Sequence, residues 1–139
     1  MNIKAQRFQT HLRDNKADFF EILEENDSTI FRAELPIAGQ EMITIIGIDD
    51  SIFNILQIKV IGKISNPRKK ALLLEYINEL NAQYKIGKYS ITDRDSVLYS
   101  ICIPTTEEYF DCAMMKSVIG LAMDTIEEHY PNLMKIIWS

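Results

Sequence analysis

Cysteine, histidine and glycine are all scarce in this chain of 139 residues, with two, two and five copies. Two cysteines, Cys102 and Cys112, cannot staple a small secreted scaffold, which needs several bridges. With one expected on a strand and the other entering a helix, both read as free thiols, buried or half-buried. Two histidines, His11 and His129, leave a nucleophile without an obvious base. No CxxC, HxxxH or HxE spacing offers a metal its three or four ligands. The glycines (Gly39, Gly47, Gly62, Gly87, Gly120) are scattered, so neither a P-loop nor a dinucleotide fingerprint exists. Asp93-x-Asp95 opens like a calcium loop, but the glycine and glutamate that should follow are missing. It reads as a hairpin turn. No apolar run approaches the roughly 20 residues of a membrane helix. Met1–Arg7 is followed by polar and charged residues, without a secretory core. The expectations are therefore a noncatalytic protein, no cofactor, no metal, no membrane, and the cytoplasm.

Positive charge is also short. The net charge is −5 and the pI near 5.0, against the basic surface that nonspecific nucleic-acid binding requires. The charge is unevenly spread. Lys59 to Arg94 holds eight basic against three acidic residues, a local +5, whereas Thr105 to Tyr130 holds six acidic against one basic, a local −5. That asymmetry bears on how a partner approaches, not on fold.

Apolar residues make up 47% of the chain, enough for one core at this length. Ile3 to about Arg13 predicts a short amphipathic helix on Ile3, Phe8 and Leu12. Four strands follow: Phe19–Glu24, Thr29–Leu35, Met42–Ile48 and Phe53 to about Ile64, joined by turns such as Glu25-Asn26-Asp27-Ser28. Met42–Ile48 is apolar on both sides of its pleat, which predicts an inner strand or one with both faces partly covered. Asn66-Pro67 starts a helix to about Tyr84, with Leu73, Ile77, Leu80 and Tyr84 inward. A hairpin, Lys88–Thr92 and Val97–Ile103, follows Gly87. The last helix opens at the capping box Thr105-x-x-Glu108 and runs to about Tyr130, ahead of Pro131. The fold class is α+β: a four-strand meander, a helix and a two-strand hairpin in one twisted antiparallel sheet, with N-terminal, middle and C-terminal helices in a single domain.

Three features carry functional expectations. The last helix is apolar over roughly 220°, against somewhat over 100° for a helix on one sheet. Met115, Ile119 and Met123 on one side of it are either core or an adaptable interaction surface. Arg68, Lys69 and Lys70 fill the first turn of the middle helix, where the macrodipole disfavours cations. They are either a solvated patch or an anion or acidic-partner site. Asn78 and Asn81 either tie the middle helix to the turn after it or touch a ligand.

Tyr76-Ile77-Asn78-Glu79-Leu80-Asn81-Ala82-Gln83-Tyr84-Lys85-Ile86-Gly87-Lys88-Tyr89 resembles the signature region of the YbjN family of bacterial sensory transduction regulators. There an N-x-x-N helix end leads through an aromatic and a Gly-Lys-aromatic turn into a hairpin. The similarity in element order covers roughly Phe19 to Leu133. The resemblance implies a fold like the type III secretion chaperones, which are commonly homodimers that bind other proteins, and it supplies no catalytic residues. Together with the wide last helix it leads to a noncatalytic protein-interaction module, chaperone-like or regulatory, that pairs with itself. The alternative is a sensor of a small anion or acidic partner.

Overall fold

A computed structural model describes residues 1–139. The elements in chain order are α1 (Ile3–Asp14), β1 (Glu21–Glu25), β2 (Ser28–Ile37), β3 (Gln40–Ile48), β4 (Phe53–Ile61), α2 (Pro67–Gln83), β5 (Lys88–Ile91), β6 (Val97–Pro104) and α3 (Cys112–Trp138). The fold is the expected α+β arrangement. One six-stranded antiparallel sheet runs in the order β1-β2-β3-β4-β6-β5. The meander continues into β6, and the hairpin folds back so that the short β5 forms the far edge.

Alternation sorts the sheet into two faces. Phe31, Leu35, Ile46, Leu56, Ile58, Tyr99 and Ile101 are buried on the front face, beneath the helices. Across the β2–β3 hairpin Ala38 and Gly39 both have positive φ, 52° and 75°. Such a two-residue turn matches the twist of its strands, and Ala38 bears the steric strain a glycine would escape. The back face carries no helix.

Phe8 of α1 packs edge-on against Phe31 at 5.1 Å and Phe110 at 6.5 Å. The buried set on α1 is Lys4, Ala5, Phe8 and Leu12. Ile3, expected inward, is 46% exposed. On α2, Leu73, Ile77 and Leu80 point into the core, and Asn66 caps the helix by accepting from the Arg68 and Lys69 amides at 2.9 and 3.2 Å.

The last helix departs from expectation at both ends. It does not start at the Thr105-x-x-Glu108 box. Thr105 instead donates its amide to Ile52 O at 2.7 Å and its hydroxyl to Tyr109 O at 2.9 Å, holding 105–110 as a turn that drops Phe110 beside Phe8. Asp111 is the N-cap, accepting from Met114 N at 3.1 Å. At the far end the helix runs through Pro131 to Trp138. An interior proline costs about 3 kcal/mol. Leu133, fully buried, and Met134, Ile136 and Ile137 packed on the core provide the compensating burial.

Candidate functional site

The α3 surface is narrower than its composition suggested. Its buried stripe is Met115, Val118, Ala122, Thr125, Ile126, His129 and Leu133, spaced three and four apart. Met114 and Leu121 are about half exposed on one flank. Met115, expected at an interaction surface, is instead 1% exposed and belongs to the core, because the stripe turns it onto the sheet. Ile119 and Met123 lie on the other flank, half-buried.

Those two residues form one wall of a groove of 270 Å³. The opposite wall is Leu35 and Pro36 of β2, and Phe19 and Phe20 close one end. Phe20 packs on the core, whereas Phe19 is 62% exposed and stacks on it with ring centroids 5.0 Å apart. The strand expected from Phe19 begins only at Glu21, since Lys16 with φ 56° turns the chain out of α1 and leaves both rings in the connection. The groove's polar neighbours are His11, Asn15 and Lys116, and no carboxylate lines it. The His11 Nε2 atom is buried without a hydrogen-bond partner.

Arg68, Lys69 and Lys70 do not converge on one point. Lys69 Nζ donates to the Ile137 carbonyl near the end of α3, and Lys70 Nζ pairs with Asp95 Oδ1 at 2.7 Å. Only Arg68 lacks a partner. Lys69 opposes the macrodipole of its own helix but complements the negative end of α3, which removes the electrostatic puzzle the sequence posed. The capping side chain of Asn66 already takes two of the helix's first amides. The basic first turn, read as either a solvated patch or an anion site, thus holds two intramolecular ties, from Lys69 and Lys70, and one free guanidinium.

The segment carrying the family resemblance is also a set of ties. Asn81 grips Tyr89 twice, accepting from its amide and donating to its carbonyl, both at 2.9 Å. Lys88 Nζ donates to the Asn81 and Tyr84 carbonyls at 2.6 and 2.7 Å, closing the end of α2. Asn78 is exposed. A β-carbon on Gly87 would lie 1.7 Å from the Tyr99 hydroxyl, so any larger residue there must displace the Tyr99 ring. The Tyr89 and Tyr84 hydroxyls bond the two ring nitrogens of His129, at 2.9 and 3.0 Å.

Burial holds His129 below the usual imidazole range, with Glu128 opposing it weakly. Tyr89 is driven above the usual phenol range, first by burial and then by its tyrosine neighbours. Burial and Asp111 push the Cys112 thiol up, which disfavours the nucleophilic thiolate. No three His, Cys, Asp or Glu side chains are grouped to hold a metal. Both cysteines are free, and Cys102 is exposed instead of buried. No helix is long and apolar enough to cross a membrane.

One polar site escaped the sequence altogether. Lys4, 1% exposed, donates from Nζ to Ser51 O at 2.6 Å and to Asn54 Oδ1 at 3.1 Å. Asn54, itself fully buried, donates onward to Ile103 O at 2.9 Å. Stepping back four from Phe8 lands on Lys4, so the helical spacing marks the position even though its residue type argues against burial. Comparison with known proteins adds no relative: no family model, curated protein or solved structure matches the chain.

Proposed function

We propose that this chain is a noncatalytic protein-interaction module, chaperone-like or regulatory, which seats an apolar side chain of a partner protein between α1, β2 and α3. The observation that carries the reading is the groove itself: an apolar wall from Ile119 and Met123 to Leu35, with Phe19 standing exposed at its mouth. An exposed aromatic beside a methionine-lined cleft is a surface that gains by being covered. Lys116 and His11 at its rim, without a carboxylate, suit an aliphatic or aromatic residue flanked by Asp or Glu. The similarity of Tyr76–Tyr89 to the YbjN family, and through it to the secretion chaperones, supports the same class of function. Two free thiols suit the cytoplasm.

Selection of a displayed peptide library on the immobilised protein tests this. Enriched peptides should share an apolar anchor next to a carboxylate. Met123→Lys and Phe19→Ser should each abolish enrichment while circular dichroism stays unchanged. A library that enriches nothing, or peptides indifferent to both substitutions, would sink the proposal.

A further inference from the structure

The sheet is split at one end of β3 and β4. β3 begins at Gln40 and β4 continues to Ile61, yet the pairing between them stops at Thr44 with Ile58. Two local features part the strands. The start of β3 is held against β2 by the tight turn at Ala38-Gly39, with Ile37 opposite Gln40. The end of β4 follows β6 instead, through a bulge between Lys59 and Ile61, and a bulge bends its strand and adds twist. Residues 40–43 and 59–61 thus have no ladder partner on the sides that face each other. Main-chain N–H and C=O groups left that way must be met by something other than the sheet.

The gap is a cavity of 420 Å³. Met42 and Val60 are its buried lining. Tyr130, Met134 and Trp138 of α3 line it from one helix face, each four residues after the last. The first two are half-buried, whereas the Trp138 ring is 80% exposed. Lys59, Lys63 and Glu41 border the same cavity, all exposed and none of them ion-paired. Two cations to one carboxylate is a local excess of positive charge in a chain whose net charge is −5. The Thr44–Ile58 pair closes the slot at its inner end. It is a pocket for a compact molecule, not a track for a peptide strand running through.

We propose that this cavity binds a small amphipathic acid, an apolar body bearing a single carboxylate. Its volume lies within the range of small-molecule sites, about 300–1,000 Å³, and apolar walls with a few polar groups are their usual lining. The body packs on Met42, Val60 and Met134 and covers the Trp138 ring, while the carboxylate meets Lys59 and Lys63. An amine would face those two ammonium groups as a like charge, and a dicarboxylate would press its second charge against Glu41 or the apolar wall. The cavity shares no residue with the groove beside Ile119 and Met123.

Trp138 is the one tryptophan of the chain, so its fluorescence reports this cavity and not the groove. Titration with decanoate, kept below its micelle concentration, should move the emission to shorter wavelength and saturate. Decylammonium should bind about tenfold more weakly or worse. The double exchange Lys59→Glu with Lys63→Glu should weaken decanoate about tenfold or more and favour decylammonium. Both positions are exposed, so circular dichroism should stay unchanged. If the double exchange disturbs the fold, Lys59→Gln and Lys63→Gln should each weaken decanoate about two- to fivefold. A shift that never saturates, equal affinity for the two amphiphiles, or a decanoate affinity indifferent to the lysine exchanges overturns the proposal. The peptide-binding reading of the groove survives each of those results.

Discussion

Ile45 and Ile46 are neighbours on one strand with the same side chain and opposite situations. Ile46 is fully buried under the helices, whereas Ile45 is half-buried on the back of the sheet with nothing above it. The same contrast runs through Ile55 and Leu56, at 38% and 0% exposure. On the covered face even polar groups are matched: Asn54 holds Lys4 and Ile103, and the two nitrogens of His129 meet two phenols. On the open face Ile30 and Ile55 stand on either side of Gly47 without a helix above them. Hydrophobicity alone does not separate a covered face from an open one; the helices do.

Truncating each of the two isoleucines breaks the comparison at its widest point. Ile46→Ala should lose about 3–4 kcal/mol, since it removes three carbons from a packed core and leaves a cavity. Ile45→Ala should lose about 1 kcal/mol, read as a shift of the urea midpoint at low protein concentration. Equal costs would mean that the two faces do not differ as described.

On the covered side, Gly87→Ala should lose about 2–3 kcal/mol, because the new carbon displaces the Tyr99 ring from beside Tyr89. Tyrosine fluorescence and near-ultraviolet dichroism should report the displacement. An unchanged spectrum and midpoint would show that the ring has room. Lys4→Met keeps the aliphatic packing but leaves Ser51 O and Asn54 Oδ1 without the ammonium, an expected loss of about 2 kcal/mol. A variant more stable than the wild type would instead mean that burying the charge outweighs its two bonds.

The strands were legible because alternation is a local signal and each turn carried Gly, Pro, Asn or Asp. Fold class and element order followed from it. The limits of α3 were not legible. A capping box at Thr105 is chemically sound, but whether it caps depends on Phe110 reaching Phe8, a contact 102 residues away. Pro131 ends helices by local rules, yet here Leu133 and Ile137 gain more by continuing the helix into the core. The candidate surfaces show the same limit. The wide apolar arc of α3 named Ile119 and Met123, which do border the groove, but the other wall comes from β2 and from the connection after α1. The cations of α2 looked available only while their acceptors, Ile137 O and Asp95, were distant in sequence. The doubled hydrophobic pattern of Met42–Ile48 predicted an inner strand or one with both faces partly covered; β3 is an inner strand, between β2 and β4, and no helix lies over its back.

The smallest expected effect is a pH dependence that sits on the covered face alone. His129 of α3 is surrounded by Tyr84 at the end of α2, Tyr89 of β5 and its own neighbour Glu128. With its folded value held below the ordinary 6.5, the native imidazole is still neutral where the unfolded one has begun to take a proton. The unfolded chain then binds more protons, so stability falls as the pH drops through 6.5 toward the folded value, and the contribution is fully present above 6.5. Protonation would also turn both ring nitrogens into donors, so that whichever phenol donates to the neutral ring would have to rotate and accept. His129→Gln keeps a donor and an acceptor between the tyrosines without titrating there. Urea midpoints from about pH 7.5 to about pH 5 should therefore decline more steeply in the wild type than in this variant, and the difference between the slopes belongs to His129. Parallel slopes would show that the imidazole titrates as freely in the folded chain as in the unfolded one, and that the face beneath the helices is wetter at α3 than its geometry implies.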